Sequence, residues 1–334
     1  MLRRWLNNRI YITLVHKFSL LFSLLYVVIF HYNIGFTLLL KHLSVSLILC
    51  IGIAGIGYLF NDYNDMEQDK LANKQNIFLQ FSKREIYLIT ILCLLFSIFP
   101  WFILPFNSVS LVLVGIEFFL FYAYAFKPFR WKEKGWLGVV ADAGYAHVIP
   151  SVLAIYTFSN ISNEEASFRF PIKVCFVFLI WLVTNGIRNI LLHQIEDFEH
   201  DKKVSTKTWI QGIGIENVKA YIIRFMVPVE WICFLMLPIV LGNMYLWLLV
   251  PYLIYLILYF LKKWAINRYP FFKSSATTNQ QLFLFFNGNM MNEYYEKYLP
   301  IVLLLLFCHY DSHFWIVLGF HFLVFFPIYL NKSI

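Results

Sequence analysis

The chain has 334 residues, of which 60% are hydrophobic, 20% aromatic and only 14% charged, against roughly 25% charge in soluble domains. That balance excludes a water-soluble globule, and at ~20 residues per bilayer-spanning helix the length leaves no room for a sizeable domain outside the membrane. The net charge of +8 reports orientation in such a chain before it reports a nucleic-acid partner, and its basic residues are scattered through loops, not gathered into a patch.

Apolar runs between charged or Pro/Asn-rich breaks predict helices near 18–36, 38–60, 86–104, 107–126, 137–158, 171–193, 219–241, 244–261, 294–309 and 313–330. The expectation is an all-α, polytopic integral membrane protein with residues 1–334 forming one membrane-embedded domain. The basic segment up to Lys17 precedes a full span and then more spans, which is not the pattern of a cleaved leader. Alternate connections hold twenty Lys and Arg on one side and three on the other, so the positive-inside rule places both termini and every basic loop in the cytoplasm. Segment 159–170, with Glu164 and Glu165, then faces the opposite side. Cys50, Cys93, Cys175, Cys233 and Cys308 lie in or beside apolar runs with no CxxC spacing, and read as small buried hydrophobes.

Five of the seven aspartates lie in two short clusters at the cytoplasmic ends of the second and sixth spans. In the first, Asn61-Asp62-Tyr63-Asn64-Asp65-Met66-Glu67-Gln68-Asp69-Lys70, the aspartates fall at i, i+3 and i+7, within roughly a 60° sector of a helix. In the second, Gln194 to Asp201, Asp197 and Asp201 are one turn apart, with Gln194 on the same face. Like charges at this spacing repel, and carboxylates near hydrocarbon are costly, so a positive partner is required. Hard divalent cations take oxygen ligands, and Mg2+ binds through one or two carboxylates together with substrate phosphates. Two such helix ends facing each other would hold a metal-bridged diphosphate.

At these residues the sequence resembles the UbiA superfamily of membrane-embedded prenyltransferases. The resemblance rests on an NDxxDxxxD pattern (Asn61, Asp62, Asp65, Asp69), a second DxxxD (Asp197, Asp201), and a loop Tyr124-Ala125-Phe126-Lys127-Pro128-Phe129-Arg130-Trp131-Lys132, and covers residues 45–215 best. It implies a bundle of about nine transmembrane helices around a central cavity, with the aspartates binding Mg2+ and the diphosphate of an isoprenyl donor. A tenth apolar run is one more than the family usually shows, and Gln194 replaces an acidic or Asn residue often found at the head of the second motif.

The chemistry so implied is ionisation of an isoprenyl diphosphate and capture of the carbocation by an aromatic or other lipophilic acceptor. Asp62, Asp65 and Asp69 are expected to bind one metal and Asp197 and Asp201 another, with Asn61 adding an oxygen. Lys127 and Arg130 are the expected phosphate contacts, with Lys70 and Lys74 within reach of the same diphosphate and Tyr124 and Gln194 at the substrate. Glu117, Asp142, His147, Asn185, Arg188 and Glu230 fall inside spans, so they should face the bundle interior and pair with one another. Asp142 stands out as a base or acceptor contact, and Arg188 as a partner for the second motif or for phosphate. Two other readings compete: a terpene cyclase using the same donor site, and a membrane carrier with an acidic cation or headgroup site. Acidic clusters confined to one end of the spans favour the enzyme over a carrier, whose key charges lie in mid-span.

Overall fold

The computed structural model describes residues 18–32, 34–71, 76–161, 172–203, 207–242, 249–268 and 289–330, and every regular element among them is helical. Each apolar run coincides with a helix. In chain order these are α1 (Ser19–Tyr32), α2 (Phe36–Leu71), a single turn α3 (Ile77–Gln80), α4 (Lys83–Ile98), α5 (Ser108–Ala125), α6 (Trp136–Ser159) and α7 (Ile172–Glu196). Then follow α8 (Phe198–Lys203), α9 (Trp209–Ile213), α10 over residues 215–242, α11 (Leu249–Arg268), α12 over residues 289–310, and α13 (Phe314–Leu330). Lys74, the basic segment through Lys17 and most of the 159–170 loop lie outside the described residues.

Five of these helices, α2, α4 to α7, are long and apolar enough to cross a bilayer. At ~1.5 Å per residue, the 36 residues of α2 exceed the ~30 Å of a hydrocarbon core, so its last turns, with the first aspartate motif, project beyond it. Burial ranks the helices. The apolar window of α7 is 67% buried and that of α4 only 22%, which makes α7 central and α4 peripheral. Leu94, Leu95, Phe102, Leu111 and Val112 are exposed, an apolar exterior suited to lipid and not to water.

Local chemistry sets the helix boundaries. Ser82 and Glu85 form a reciprocal capping box that starts α4, and Asn107 accepts from the Val109 and Ser110 amides at the start of α5. Three π turns, Gly144–Val148 in α6, Ile222–Met226 in α10 and Tyr294–Tyr298 in α12, each run up to Pro150, Pro228 or Pro300. Proline lacks the amide proton that would close an ordinary helical bond and clashes with the carbonyl four residues back, and a widened turn absorbs both defects. In α12 the carbonyl that Pro300 cannot serve, on Glu296, accepts instead from the Ser19 hydroxyl of α1, and Ser23 donates to the neighbouring Tyr295 carbonyl. A helix defect thereby becomes an interhelical joint.

The main core gathers α1, α7, α12 and α13 with the ends of α6 and α10. A second cluster joins α6, α7, α9 and α10, and a third joins α2, α3 and α4. Packing of α2 on α4 depends on Gly52, where a Cβ would come within 2.6 Å of the Phe96 carbonyl carbon and the Ser97 amide nitrogen. Gly115 on α5 has nothing within 4 Å of its Cβ position. Gly52→Ala should therefore lower the unfolding temperature in detergent. Gly115→Ala should leave it unchanged or raise it, since alanine is favoured over glycine by about 1 kcal/mol within a helix. Equal behaviour of the two variants would contradict the α2/α4 packing.

Candidate active site

The first motif is one uninterrupted helix, as the i, i+3, i+7 spacing requires, but its aspartates do different work. Asp62 is buried and its Oδ2 accepts from the Ile77 amide at 3.1 Å. Asn76 clasps the same region: its Nδ2 donates to the Asp62 carbonyl and to Asp69 Oδ2, both at 2.7 Å, while its Oδ1 caps α3 at the Phe78 amide. The stretch after α2 is thus folded back on the helix by two motif residues. Asn61 presents a buried Oδ1 with no hydrogen-bond partner.

Asp65 carries the link to the basic loop between α5 and α6. Lys132 Nζ donates to Asp65 Oδ1, and the Arg130 guanidinium lies 3.5 Å from the same oxygen. Arg130 also donates to Gln68 Oε1 at 3.0 Å and Glu133 Oε1 at 2.6 Å, and reaches the Asn64 and Ala125 carbonyls. It does so from a left-handed backbone at φ 39°, a conformation that costs a non-glycine residue of order 1–3 kcal/mol, so these bonds hold the loop in a fixed shape. Close approach of the loop to α6 needs Gly138, where a Cβ would stand 2.8 Å from Lys132 Cα. Burial holds the Lys132 ammonium below the ordinary lysine value, against the opposing pull of Asp65. Lys127 and Lys70 are exposed.

At the second motif α7 ends on Glu196, and Asp197 forms the turn into α8. The helical bonding still runs through it, from the Asp201 amide to the Asp197 carbonyl at 2.9 Å. Gln194 departs from the expectation of a substrate contact. It is buried, and its Oε1 accepts from the Ile210 amide, because α9 packs under the end of α7 and needs an acceptor. Arg188 takes its partners from the in-span polar residues expected to pair with one another, and not from the second motif: it pairs with Glu230 at 2.8 Å and donates to Asn185 Oδ1 at 2.6 Å, with both charged side chains almost wholly buried. A guanidinium inside the membrane takes the nearest carboxylate across the α7/α10 contact, not the motif two turns away.

Between α1, α2, α5, α6, α7 and α12 lies a cavity of about 820 Å³. Asn61, Tyr124, Asp142, Tyr145, Asn189 and His193 line it. The Tyr145 hydroxyl donates to Asp142, and Tyr124 hydrogen-bonds with Tyr145 and lies within electrostatic reach of Asp142, Asp65 and Asp201. Tyr124 lines the cavity beside the Tyr145–Asp142 pair. Among the described residues, no three His, Cys, Asp or Glu side chains are gathered to hold a metal; the aspartates are strung along two helix ends.

The family model for the UbiA prenyltransferase family matches residues 19–289. The chain belongs to that family. Membership makes it a polytopic membrane protein with prenyltransferase-type activity in general, in keeping with its apolar helices. No curated protein sequence matches it. Among solved structures it is similar to a UbiA homolog from Archaeoglobus fulgidus bound to GPP and Mg2+, with 19% identity over 88% of this chain and 98% of that one, TM-score 0.48. The same homolog bound to DMAPP and Mg2+ matches with 18% identity over 87% and 99%, TM-score 0.46.

Sequence reasoning missed Asn76, an isolated asparagine without a motif of its own, and did not single out Lys132, although it closes the quoted loop pattern. The double clasp by Asn76 makes a sharp expectation. Asn76→Ala should destabilise the UbiA-type fold by ~1 kcal/mol through the lost cap. Asn76→Asp should cost more than alanine, since it keeps a capping oxygen but sets a carboxylate against Asp69; this reverses the usual preference for Asp over Ala at an N-cap. Thermal unfolding of the two variants in one detergent decides it, and an aspartate variant as stable as the asparagine parent would contradict the clasp.

Proposed function

We propose that this chain is a Mg2+-dependent intramembrane prenyltransferase that ionises an isoprenyl diphosphate and passes the prenyl group to a lipophilic acceptor. The observation that carries the reading is the joint at Asp65, where an acidic helix end meets Lys132 and Arg130 one turn beyond Asn61 on the cavity wall. Family membership supports the reaction class. The whole chain acts as one domain, with the motif ends on the cytoplasmic side according to the distribution of Lys and Arg.

The donor set fits a hard cation. Carboxylates of both motifs and the unpartnered Asn61 oxygen are the oxygen ligands Mg2+ takes, with no sulfur or imidazole among them. Asp62, Asp65 and Asp69 at the end of α2 would hold one ion and Asp197 and Asp201 at the end of α7 another, with the Ile77 amide on Asp62 and Asn76 on Asp69 fixing the end of α2. When bound, Mg2+ supplies neutralising charge for the departing diphosphate.

The rest falls to this chain's residues. The bond between the prenyl C1 and its diphosphate oxygen breaks, the electron pair leaving with the diphosphate. Lys132 and Arg130, turned from Asp65, and exposed Lys127 attract that anion. The rings of Tyr58, Tyr124 and Tyr145 face the allylic cation from the cavity wall. An electron-rich atom of the acceptor bonds to C1 and gives up its proton to Asp142, which Tyr145 holds in place.

The test is pyrophosphate release by the purified protein from geranyl, farnesyl and geranylgeranyl diphosphates with a lipid extract as acceptor source. Release should require Mg2+ and fall about a hundredfold or more in Asp65→Asn and Asp197→Asn, the range for removing one electrostatic stabiliser; Asp197→Asn should leave the unfolding temperature unchanged, while Asp65→Asn should also lower it, because it leaves Lys132 and Arg130 without their carboxylate. Metal-independent release, or full release in both variants, would refute the assignment. A product cyclised from the donor alone would make the enzyme a terpene cyclase.

A further inference from the structure

Each carboxylate of the first motif has one oxygen held by a donor of the chain, and the donors come from two different places. Asp65 Oδ1 accepts from Lys132 and Arg130 of the basic loop, whereas Asp62 Oδ2 accepts from the Ile77 amide and Asp69 Oδ2 from Asn76 Nδ2. In the proposed reaction Lys132 and Arg130 turn to the diphosphate, so their hold on Asp65 is given up. The holds on Asp62 and Asp69 stay, because the turn that supplies them is fixed by other means. Ile77 and Phe81 are buried in one apolar cluster with Ile56 and Leu59 of α2 and Ile89 and Cys93 of α4. The Phe78 ring meets Tyr63 edge to face at 5.4 Å, and the Ser82 capping box follows directly. Asn76, itself buried, is a donor on a rigid support.

Such donors bear on which cation the carboxylates suit. Ca2+ takes about 6–8 oxygens in flexible geometry and often draws on both oxygens of a carboxylate, whereas Mg2+ demands a near-ideal octahedron and combines one or two carboxylates with waters and phosphate. A donor on Oδ2 competes for the second oxygen that a two-oxygen grip needs, and it also fixes the plane of the carboxylate. The same hydrogen bond therefore disfavours Ca2+ and pre-orients a ligand for Mg2+, since ligand number and rigidity decide between the two ions. At Asp62 the donor is a backbone amide, which no substitution short of proline removes. At Asp69 it is the side chain of Asn76, which can be exchanged.

We propose that Asn76 is a positioning residue that makes the aspartates at the end of α2 select Mg2+ over Ca2+. It acts through other groups: it holds one oxygen of Asp69 and, by its bond to the Asp62 carbonyl, the turn of α2 between them. The inference rests on the prenyltransferase reading of the site and adds the residue that chooses its metal.

The experiment titrates Mg2+ or Ca2+ into the full chain in detergent with a non-reactive prenyl thiolodiphosphate present, and reads binding by calorimetry, so no turnover is needed. The unmodified protein should hold Mg2+ at least about tenfold more tightly than Ca2+. Asn76→Ser keeps an oxygen for the Phe78 amide, as serine caps about as well as asparagine, but has no amide group to donate to Asp69. In that variant Mg2+ should bind about 10- to 100-fold more weakly, the range for losing a bond that orients a metal ligand, while Ca2+ affinity moves less than about threefold. Equal losses for the two ions, the mark of a turn that has merely loosened, would overturn the proposal and leave the donor site standing, as would unchanged affinities. The unmodified protein tests it even where the variant fails to fold: Ca2+ held as tightly as Mg2+ would overturn it. A thiolodiphosphate that binds with neither ion would overturn the donor-site reading and this one together.

Discussion

Asp65 is the point on which the candidate site turns. It stands on the part of α2 that outruns the hydrocarbon, and it accepts from Lys132 and Arg130 of the loop between α5 and α6. Without that joint the basic loop would have no fixed position relative to α2, and the acidic helix end would carry uncompensated like charges. The arginine's strained backbone and its bonds to Gln68 and Glu133 are the means by which the loop is kept there. The same joint describes the work of binding. In the proposed reaction, Lys132 and Arg130 would exchange one anion for another when a diphosphate arrives, so the donor would compete with Asp65 for charges already assembled.

The bilayer explains why the remaining polar groups are where they are. A charge that cannot reach water takes a partner inside the bundle or lines a cavity. Arg188 and Glu230 solve the problem by pairing, with both side chains almost wholly buried. Glu117, His147 and Asn185 lie along the cavity. The prolines obey the same constraint at the backbone level. Each loses an amide donor, and in α12 the freed carbonyl becomes the seat of a serine from α1.

Much of this was legible in the residues alone. The ten apolar runs coincide with helices because hydropathy over a whole span is a sum that few local details can upset. The one-sided run of Asp62, Asp65 and Asp69 was legible because helical spacing is arithmetic, and the structure carries α2 unbroken through Leu71. What escaped depends on partners distant in sequence. Gln194 meets Ile210, 16 residues away, and although the in-span polar residues were expected to pair with one another, which of them Arg188 takes, Glu230 at 42 residues, leaves no periodic trace. Asn76 escaped for the converse reason, since its two acceptors belong to a motif that reads as complete without it. The three motif aspartates look alike in sequence, and only the fold separates Asp62 and Asp69, which hold the stretch at Asn76 and Ile77, from Asp65, which meets the basic loop.

The central claim is that the ends of α2 and α7 act on one bound donor. The most direct measurement is a double-mutant cycle on the Mg2+-dependent affinity for a non-reactive prenyl thiolodiphosphate, using Asp65→Asn, Asp201→Asn and the double variant. Residues that share one ligand show coupling of about 0.5–3 kcal/mol, whereas independent distant sites add to within about 0.5 kcal/mol. Coupling above about 1 kcal/mol, on the scale of residues that share a partner, is the expected result. Additive losses, or affinity indifferent to either aspartate, would mean that the two acidic ends do not meet at a common substrate.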